Sequence, residues 1–264
     1  MQGLGYMTGR ARPTRRQEQI AEYVLRQGSV SAKDLASLFG VSLMTVHRDL
    51  DELERQGVLR KLHGRATAQP SSLFESNVHY RLKTATAEKK ALSRFALTLI
   101  EPGQSVMLDD STTTLPLAGL LHAKAPLTVI TNFGMTLNEL SGAKGVNVIS
   151  LGGEYMPSHD AFVGVVCEAA IASVRADVLF MSTSALSDCC ALHQEPEIVR
   201  IKRAMIASSK RRILLVDHTK VGKVALHQLA TLQDFDLVVV DARIDETRVN
   251  ELRECSVPYE IVSL

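Results

Sequence analysis

Residues 41 to 65, Val-Ser-Leu-Met-Thr-Val-His-Arg-Asp-Leu-Asp-Glu-Leu-Glu-Arg-Gln-Gly-Val-Leu-Arg-Lys-Leu-His-Gly-Arg, combine hydroxyls, imidazoles and guanidinium groups at helical spacing. Ser42 has the type and position of an N-cap, because its hydroxyl can accept from a backbone N–H that lacks an intrahelical partner. Val46, Leu50 and Leu53 fall on one face and point inward. The same period leaves Leu43, Met44, Thr45, His47 and Arg48 on the outward N-terminal part, where side chains can reach base edges in a major groove, with Ser42 near the backbone. Gly57 suits the left-handed residue that ends a helix. Two short extended runs, Val58 to Leu62 and Ala66 to Ala68, then flank His63-Gly64 as a hairpin, so Arg60, Lys61, His63 and Arg65 form a basic wing that can track phosphates. Residue types at this spacing point to contact with double-stranded DNA.

A second set of residues suits a small anion. Asp109-Asp110-Ser111-Thr112-Thr113-Thr114 lies between a strand pattern and a helix pattern, and hydroxyls with free N–H groups at such a junction can bind phosphate. Taken alone, Ser111, Thr112 and Thr113 serve equally well as helix caps. Three further polar loops tilt the reading toward a ligand. Thr131-Asn132, Leu151-Gly152-Gly153-Glu154 and Asp217-His218-Thr219-Lys220-Val221-Gly222 each leave the end of an apolar strand. Lys220 supplies a flexible point charge, and Gly152 and Gly153 permit close backbone approach.

These groups need elements to hold them. Ile20, Ala21, Tyr23, Val24 and Leu25 make an apolar stripe on a helix from about Arg15 to Gln27, stopped by Gly28. Ser31 and Asp34 have capping-box spacing for a second helix carrying Leu35, Ala36, Leu38 and Phe39, and Gly40 permits the turn into the third. Pro70, Ser71, Ser72, Ser76 and Asn77 mark a turn-rich connector. Beyond it come a helix over Thr86 to Ile100 and apolar strands at Ser105 to Leu108, Leu127 to Thr131, Val146 to Leu151, Val178 to Met181, Ile213 to Val216, Leu237 to Val240 and Tyr259 to Val262. Helices are expected between most of them, at 115–122, 135–141, 168–174, 198–208 and 246–254. That alternation predicts an α/β fold with a largely parallel sheet covered on both faces, whose ligands bind beyond the carboxyl ends of the strands. The expected domains are a basic arm and winged helix-turn-helix over 1–69, a linker over 70–84, and a larger α/β sensing domain over 85–264.

The order of motifs resembles the DeoR family of bacterial transcription regulators. Val41, Ser42, Thr45, Val46, Arg48, Asp49 and Leu50, then Leu59, His63, Gly64 and Ala66, match its helix and wing, with His47 and Arg65 as departures. Asp109, Thr112, Thr113, Thr131, Asn132, Gly152, Gly153, Gly164, Asp177, Asp217, Lys220 and Asp241 match its sensor domain, with Ser111 standing where a glycine is usual. The resemblance implies a body with a ribose-5-phosphate-isomerase-like fold that binds a phosphorylated sugar or related metabolite. It implies a transcriptional regulator, most simply a repressor of a carbohydrate operon. A sugar-phosphate isomerase carrying a DNA-binding head is the alternative, with Asp109, Asp110, Glu195 or Asp217 as nominal bases.

Composition agrees. Of 264 residues, 45% are hydrophobic and 22% charged, ordinary for a globular protein. The net charge of +1 hides an asymmetry: residues 1–70 hold 11 Lys+Arg against 7 Asp+Glu, the rest 19 against 22. Arg10, Arg12, Arg15 and Arg16 extend the basic head as an arm, the electrostatic footprint of a nucleic-acid partner. With no apolar run long enough for a bilayer and no export signal, the expectation is a soluble cytoplasmic protein. Cys167, Cys189, Cys190 and Cys255 show no disulfide framework, which suits a reducing compartment. Asp188, Cys189, Cys190 and His193 lack the spacing of a metal cluster, Ser182-Thr183-Ser184 lacks a nucleophile elbow, and His218 beside Asp217 reads as a loop histidine. Neither catalytic residues, metal nor cofactor is therefore expected. A single head buries too little surface for specific binding, so a homo-oligomer, dimer or tetramer, is expected.

Overall fold

The computed structural model describes residues 15–55, 59–62, 64–67 and 78–264. The chain divides into two compact units, Met1–Phe74 and Glu75–Leu264. The first contains helix α1 (Arg15–Gln27), strand β1 (Ser29–Ser31), helices α2 (Ala32–Phe39) and α3 (Leu43–Arg55), and strands β2 (Arg60–Leu62) and β3 (Arg65–Thr67). Ser31 caps α2 by accepting from the Asp34 N–H, and Gly40 ends that helix at φ 63°. Ser42 caps α3, its Oγ accepting from the Thr45 N–H at 3.2 Å. Ile20, Val24, Leu35, Val46, Leu50, Leu53 and Ala66 form the core of this unit.

The wing departs from the expected two-stranded hairpin. β1 joins it, so the antiparallel order is β1-β3-β2 with Val30 opposite Ala66. Gly28, at φ 72°, turns the chain out of α1 and lets Val30 pack into the core. A three-residue strand carries too little periodicity to be read beforehand. Gly57, His63, Arg10, Arg12 and the Pro70 boundary lie outside the described residues.

The second unit opens with helices α4 (Val78–Lys83) and α5 (Thr86–Thr98), the former inside the stretch read as connector. There follow β4 (Ser105–Leu108), α6 (Leu115–Ala118), β5 (Leu127–Thr131), α7 (Gly134–Glu139), β6 (Val146–Ser150), β7 (Glu154–Met156), β8 (Ala161–Val163), α8 (Gly164–Ala172) and β9 (Ala176–Met181). β10 (Ala185–Ser187), β11 (Cys190–His193), α9 (Pro196–Ala207), β12 (Ser209–Val216), β13 (His227–Thr231), β14 (Leu237–Asp241), α10 (Glu246–Glu254) and β15 (Tyr259–Val262) complete it.

Seven strands form one parallel sheet in the order β15-β14-β12-β9-β4-β5-β6. Successive residues of β9 alternate between two cores: Val178 and Phe180 pack with Leu92, Ala96 and Leu117, whereas Leu179 and Met181 pack with Ile171, Ile198 and Met205. Both faces are thus covered by helices, which is why the strands are continuous runs of Val, Leu and Ile instead of alternating patterns. The chain runs outward from β4 through β5 to β6, then returns to place β9 on the other side of β4. Loops leaving β4 and β9 therefore diverge, and a crevice opens between them at the carboxyl edge.

Two features differ from expectation. Cys189 and Cys255, 66 residues apart, form a disulfide, while Cys167 and Cys190 are free. The turn between β10 and β11 meets the end of α10 only through tertiary folding, so residue spacing could not reveal the pair. A small antiparallel sheet, β10-β11-β13, also stands beside the main one; its short strands interrupt the expected alternation of strand and helix.

Candidate functional site

In the first unit the outward face of α3 carries the expected recognition residues. Met44 is 75% exposed, Ser42 and Arg48 are exposed, and Thr45 and His47 are half-buried. Ser42 Oγ and Thr45 Oγ1 lie 2.8 Å apart, so capping also fixes the Thr45 hydroxyl. Asp49, on the inward side, accepts from Arg16 Nε at 2.7 Å and Gln17 Nε2 at 3.1 Å, tying α3 to α1. In the wing, Arg60 is exposed. Arg65 donates to Ser29 Oγ and Ser29 O at 3.0 and 3.1 Å, and Lys61 pairs with Asp51. Those pairs position the wing cations relative to helix and strand. His63 is outside the described residues.

In the second unit a cavity of about 220 Å³ sits at the crevice and is lined by the loops after β4, β9 and β12 together with α4 and α5. That is below the roughly 300–1,000 Å³ of pockets for drug-sized ligands, so it suits a small metabolite. Ser111, Thr112, Thr113 and Lys220 all line it. Lys220 Nζ donates to Thr113 Oγ1 and Ser182 Oγ, each at 3.1 Å, and lies 3.5 Å from Asp217 Oδ2.

Asp109 has a different task. Its fully buried carboxylate accepts from Ser111 Oγ (2.6 Å), Thr114 Oγ1 (2.9 Å) and the Ser182 N–H (2.8 Å), and it pairs with Lys202. It thereby fixes the loops after β4 and β9 to each other. Thr131, Asn132, Gly152 and Gly153 are not on the cavity wall. Thr131 Oγ1 accepts from the Phe133 N–H, and Asn132 Nδ2 donates to Phe162 O. Gly153 is required by packing: a Cβ there would lie 2.4 Å from Val163 O.

Four cations in the cavity wall went unread in the sequence, Lys223 of the loop after β12 among them. Arg81 comes from α4, Lys89 from α5 and Lys202 from α9. Lys202 sits among Ile198, Val199, Ile201 and Met205 on the buried face of its helix, and a lysine inside an apolar stripe is the signal that could have found it. Lys89 Nζ donates to Thr112 Oγ1 at 3.0 Å and to Arg81 O. Burial pushes the Lys89 ammonium down to about 7, with Lys220 repelling it further. Burial also lowers Lys220 and Arg81, outweighing the carboxylates that oppose it. Arg81 Nε and Nη2 are shut off from solvent without a hydrogen-bond partner among the described residues. A desolvated guanidinium lacking acceptors is costly, and an anion in the cavity would relieve that cost. Since α6 has only one turn, these cations, more than a helix dipole, supply the anion affinity.

Glu88, His218 and Asp241 place ligand atoms within 4.8 Å of one another, a spacing a metal ion could use. They are already engaged: Asp241 accepts from the His218 and Arg243 N–H groups at 2.6 and 3.0 Å, and Arg243 pairs with Glu88. The set fastens the Asp217–Lys220 loop to the end of β14. Among the described residues no helix is long and apolar enough to cross a membrane.

Residues 84–242 match the family model described as the DeoR C terminal sensor domain, and residues 16–72 match the DeoR-like helix-turn-helix domain. The glycerol-3-phosphate regulon repressor of Escherichia coli (strain K12) is 33% identical over 230 residues, covering 87% of this chain and 91% of that protein. The HTH-type transcriptional regulator GolR of Listeria innocua is 29% identical, covering 94% and 98%. Among solved structures, ribose 5-phosphate isomerase A from Methanocaldococcus jannaschii covers 50% of this chain and 53% of its own at 11% identity and a TM-score of 0.37. Translation initiation factor eIF-2B from Pyrococcus horikoshii covers 84% and 87% at 12% and 0.45. Likenesses at those scores carry no functional weight.

Proposed function

The chain belongs to the DeoR family of transcriptional regulators, and on that premise we propose that it is a cytoplasmic repressor of a carbohydrate-metabolism operon whose second unit binds a phosphorylated sugar-like effector. The observation that carries the effector half is the Arg81 guanidinium, whose buried Nε and Nη2 have no hydrogen-bond partner among the described residues, in a cavity that also receives Lys89, Lys202 and Lys220. A phosphate oxygen supplies the charge-assisted acceptor that Arg81 lacks, and Thr112, Thr113 and Ser111 offer hydroxyls to the others. The Asp109 carboxylate is taken up by hydroxyl, backbone and lysine donors, so it acts as a brace and not as a base; the chain works as a ligand-controlled regulator, not an enzyme.

The DNA half rests on the exposed face of α3 and the basic wing. Met44, Thr45, His47 and Arg48 meet base edges, Ser42 meets the backbone, and Arg60, Lys61, His63 and Arg65 track phosphates. Two or more copies assemble so that paired heads read repeated half-sites. The test is a thermal-shift titration of the whole protein with phosphorylated sugars and their unphosphorylated counterparts. A ligand selective for the folded state raises the midpoint. A rise with the phosphorylated compounds only, lost in Arg81→Gln, is the expected result; equal shifts by neutral sugars, or none by any phosphate, overturn the effector assignment.

A further inference from the structure

The tip of α3 carries apolar side chains that the fold of the head does not use. Met44 is 75% exposed, more than any other large apolar residue described in the first unit, and Leu43 beside it is 40% exposed. Both lie in the first turn of α3, directly after the Ser42 cap. Val46, Leu50 and Leu53 on the inward side are at most 1% exposed, so the helix has its buried face without them. A thioether left in water gains nothing from burial in the free protein.

The neighbours on that face show what covers it. His47 and Arg48 stand three and four residues after Met44 and share its side of the helix, and Asp51 follows one turn later. Asp51 pairs with Lys61 of the wing. The stripe therefore runs from the apolar tip, past the exposed Arg48 guanidinium, to the cations of β2. It is continuous with the surface that meets base edges and phosphates in the proposed complex. Thr45 is half-buried and its hydroxyl is engaged with Ser42 at 2.8 Å, which leaves Met44 as the most prominent group of the first turn.

The chemistry of the base edges then selects the partner. In the major groove guanine offers two acceptors, cytosine a donor and adenine one of each, whereas thymine alone adds an apolar group, its 5-methyl. A methionine pressed against a donor or acceptor strips it of water and returns no hydrogen bond, which costs the full desolvation of that group. Pressed against the methyl, it buries apolar surface on both sides.

We propose that Met44 reads the 5-methyl group of a thymine in each half-site of the operator, with Leu43 widening the apolar contact. This inference rests on the reading of α3 as the recognition helix.

The experiment starts from duplexes that the full-length protein selects out of a randomised library. In the tightest of them each thymine is replaced singly by deoxyuridine, which removes the methyl and keeps every hydrogen-bonding group. In the wild type one thymine per half-site should stand out, its replacement weakening binding about fourfold, as expected for one buried methyl-sized group. In Met44→Ala the same replacement should be close to neutral, and the coupling between the two changes isolates the contact. Met44→Leu, which keeps an apolar tip, should retain the penalty. Specific binding that is indifferent to every deoxyuridine overturns the methyl reading and leaves the DNA-binding assignment standing. A penalty unchanged in Met44→Ala gives the thymine to another residue and overturns the role of Met44. Failure to select any duplex over random DNA at low salt removes the recognition helix and this inference with it.

Discussion

Lys89 is the residue whose ionisation the cavity controls most directly. Burial pushes it down to about 7, and Lys220 opposes its charge as well. A bound dianion favours the charged ammonium, so binding above pH 7 must take up a proton. The affinity for a phosphorylated effector should therefore weaken by up to tenfold per pH unit as pH rises from 7 toward 9, a window in which the phosphate itself stays fully ionised. Calorimetry in two buffers of different ionisation enthalpy measures the proton uptake, and Lys89→Gln should abolish it. The same shift makes a stability statement about the unliganded fold. Its folded-state pKa lies below the ordinary 10.5, so the unfolded chain binds more protons between about 7 and 10.5, and stability should rise with pH across that interval. Arg81 makes the complementary case in the same cavity: Arg81→Gln removes a guanidinium whose Nε and Nη2 have no partner among the described residues and should cost at least about tenfold in phosphate affinity, roughly 1.4 kcal/mol. Neither residue was legible in the sequence, because Arg81 sits on a six-residue helix without periodicity and Lys89 reads as one more surface lysine beside Lys90. Thr112, Thr113 and Lys220 were legible because they lie in loops that leave strands, where the fold class itself points.

At the level of elements, long periodic segments were readable and short ones were not. α1, α10, β4, β5 and β15 have the bounds their patterns predict, since each carries enough apolar residues to define a face. β1, β7, β8 and β10 have three residues each, too few to define a face, and β1 exists only by pairing with the distant β3. The Cys189–Cys255 bridge belongs with them. It closes a span of 66 residues between the β10–β11 turn and the end of α10, and a loop of that length restricts the unfolded chain by roughly 4 kcal/mol. Denaturant titration with and without a reductant should show that loss, and Cys255→Ser should behave as the reduced protein does in both conditions; coincident curves would remove the bridge as a stabilising element. The helix and wing give a separable prediction. Arg60 is an exposed wing cation, so Arg60→Ala should weaken binding to all duplexes alike and reduce the slope of log K against log salt by about 0.9. Arg48→Ala on α3 should instead lower the ratio of operator to random-sequence affinity. Anisotropy titrations at several salt concentrations distinguish the two.

For the whole molecule, the two units matter to each other only through free energy. If an effector bound near Arg81 weakens operator binding by some factor, then operator DNA must weaken effector binding by the same factor, whatever structural route connects them. An effector with equal affinity for the DNA-competent and DNA-incompetent arrangements would shift nothing, however tightly it bound. A working repressor of this kind needs a coupling of about 1–3 kcal/mol, or roughly 5–150-fold. The measurement is a pair of titrations on one preparation: operator affinity with and without saturating effector, and effector affinity with and without saturating operator duplex. Equal factors are expected in the wild type. Arg81→Gln should retain operator affinity in the absence of effector and show no release at effector concentrations that release the wild type. Sedimentation under the same conditions should show an assembly of two or more copies on the duplex, because one small head buries too little surface for specific affinity. A monomer with full operator affinity would end the paired-head account. Effector binding without any change in operator affinity would separate the cavity from the head, leaving the second unit a metabolite-binding domain whose occupancy regulates something other than this contact with DNA.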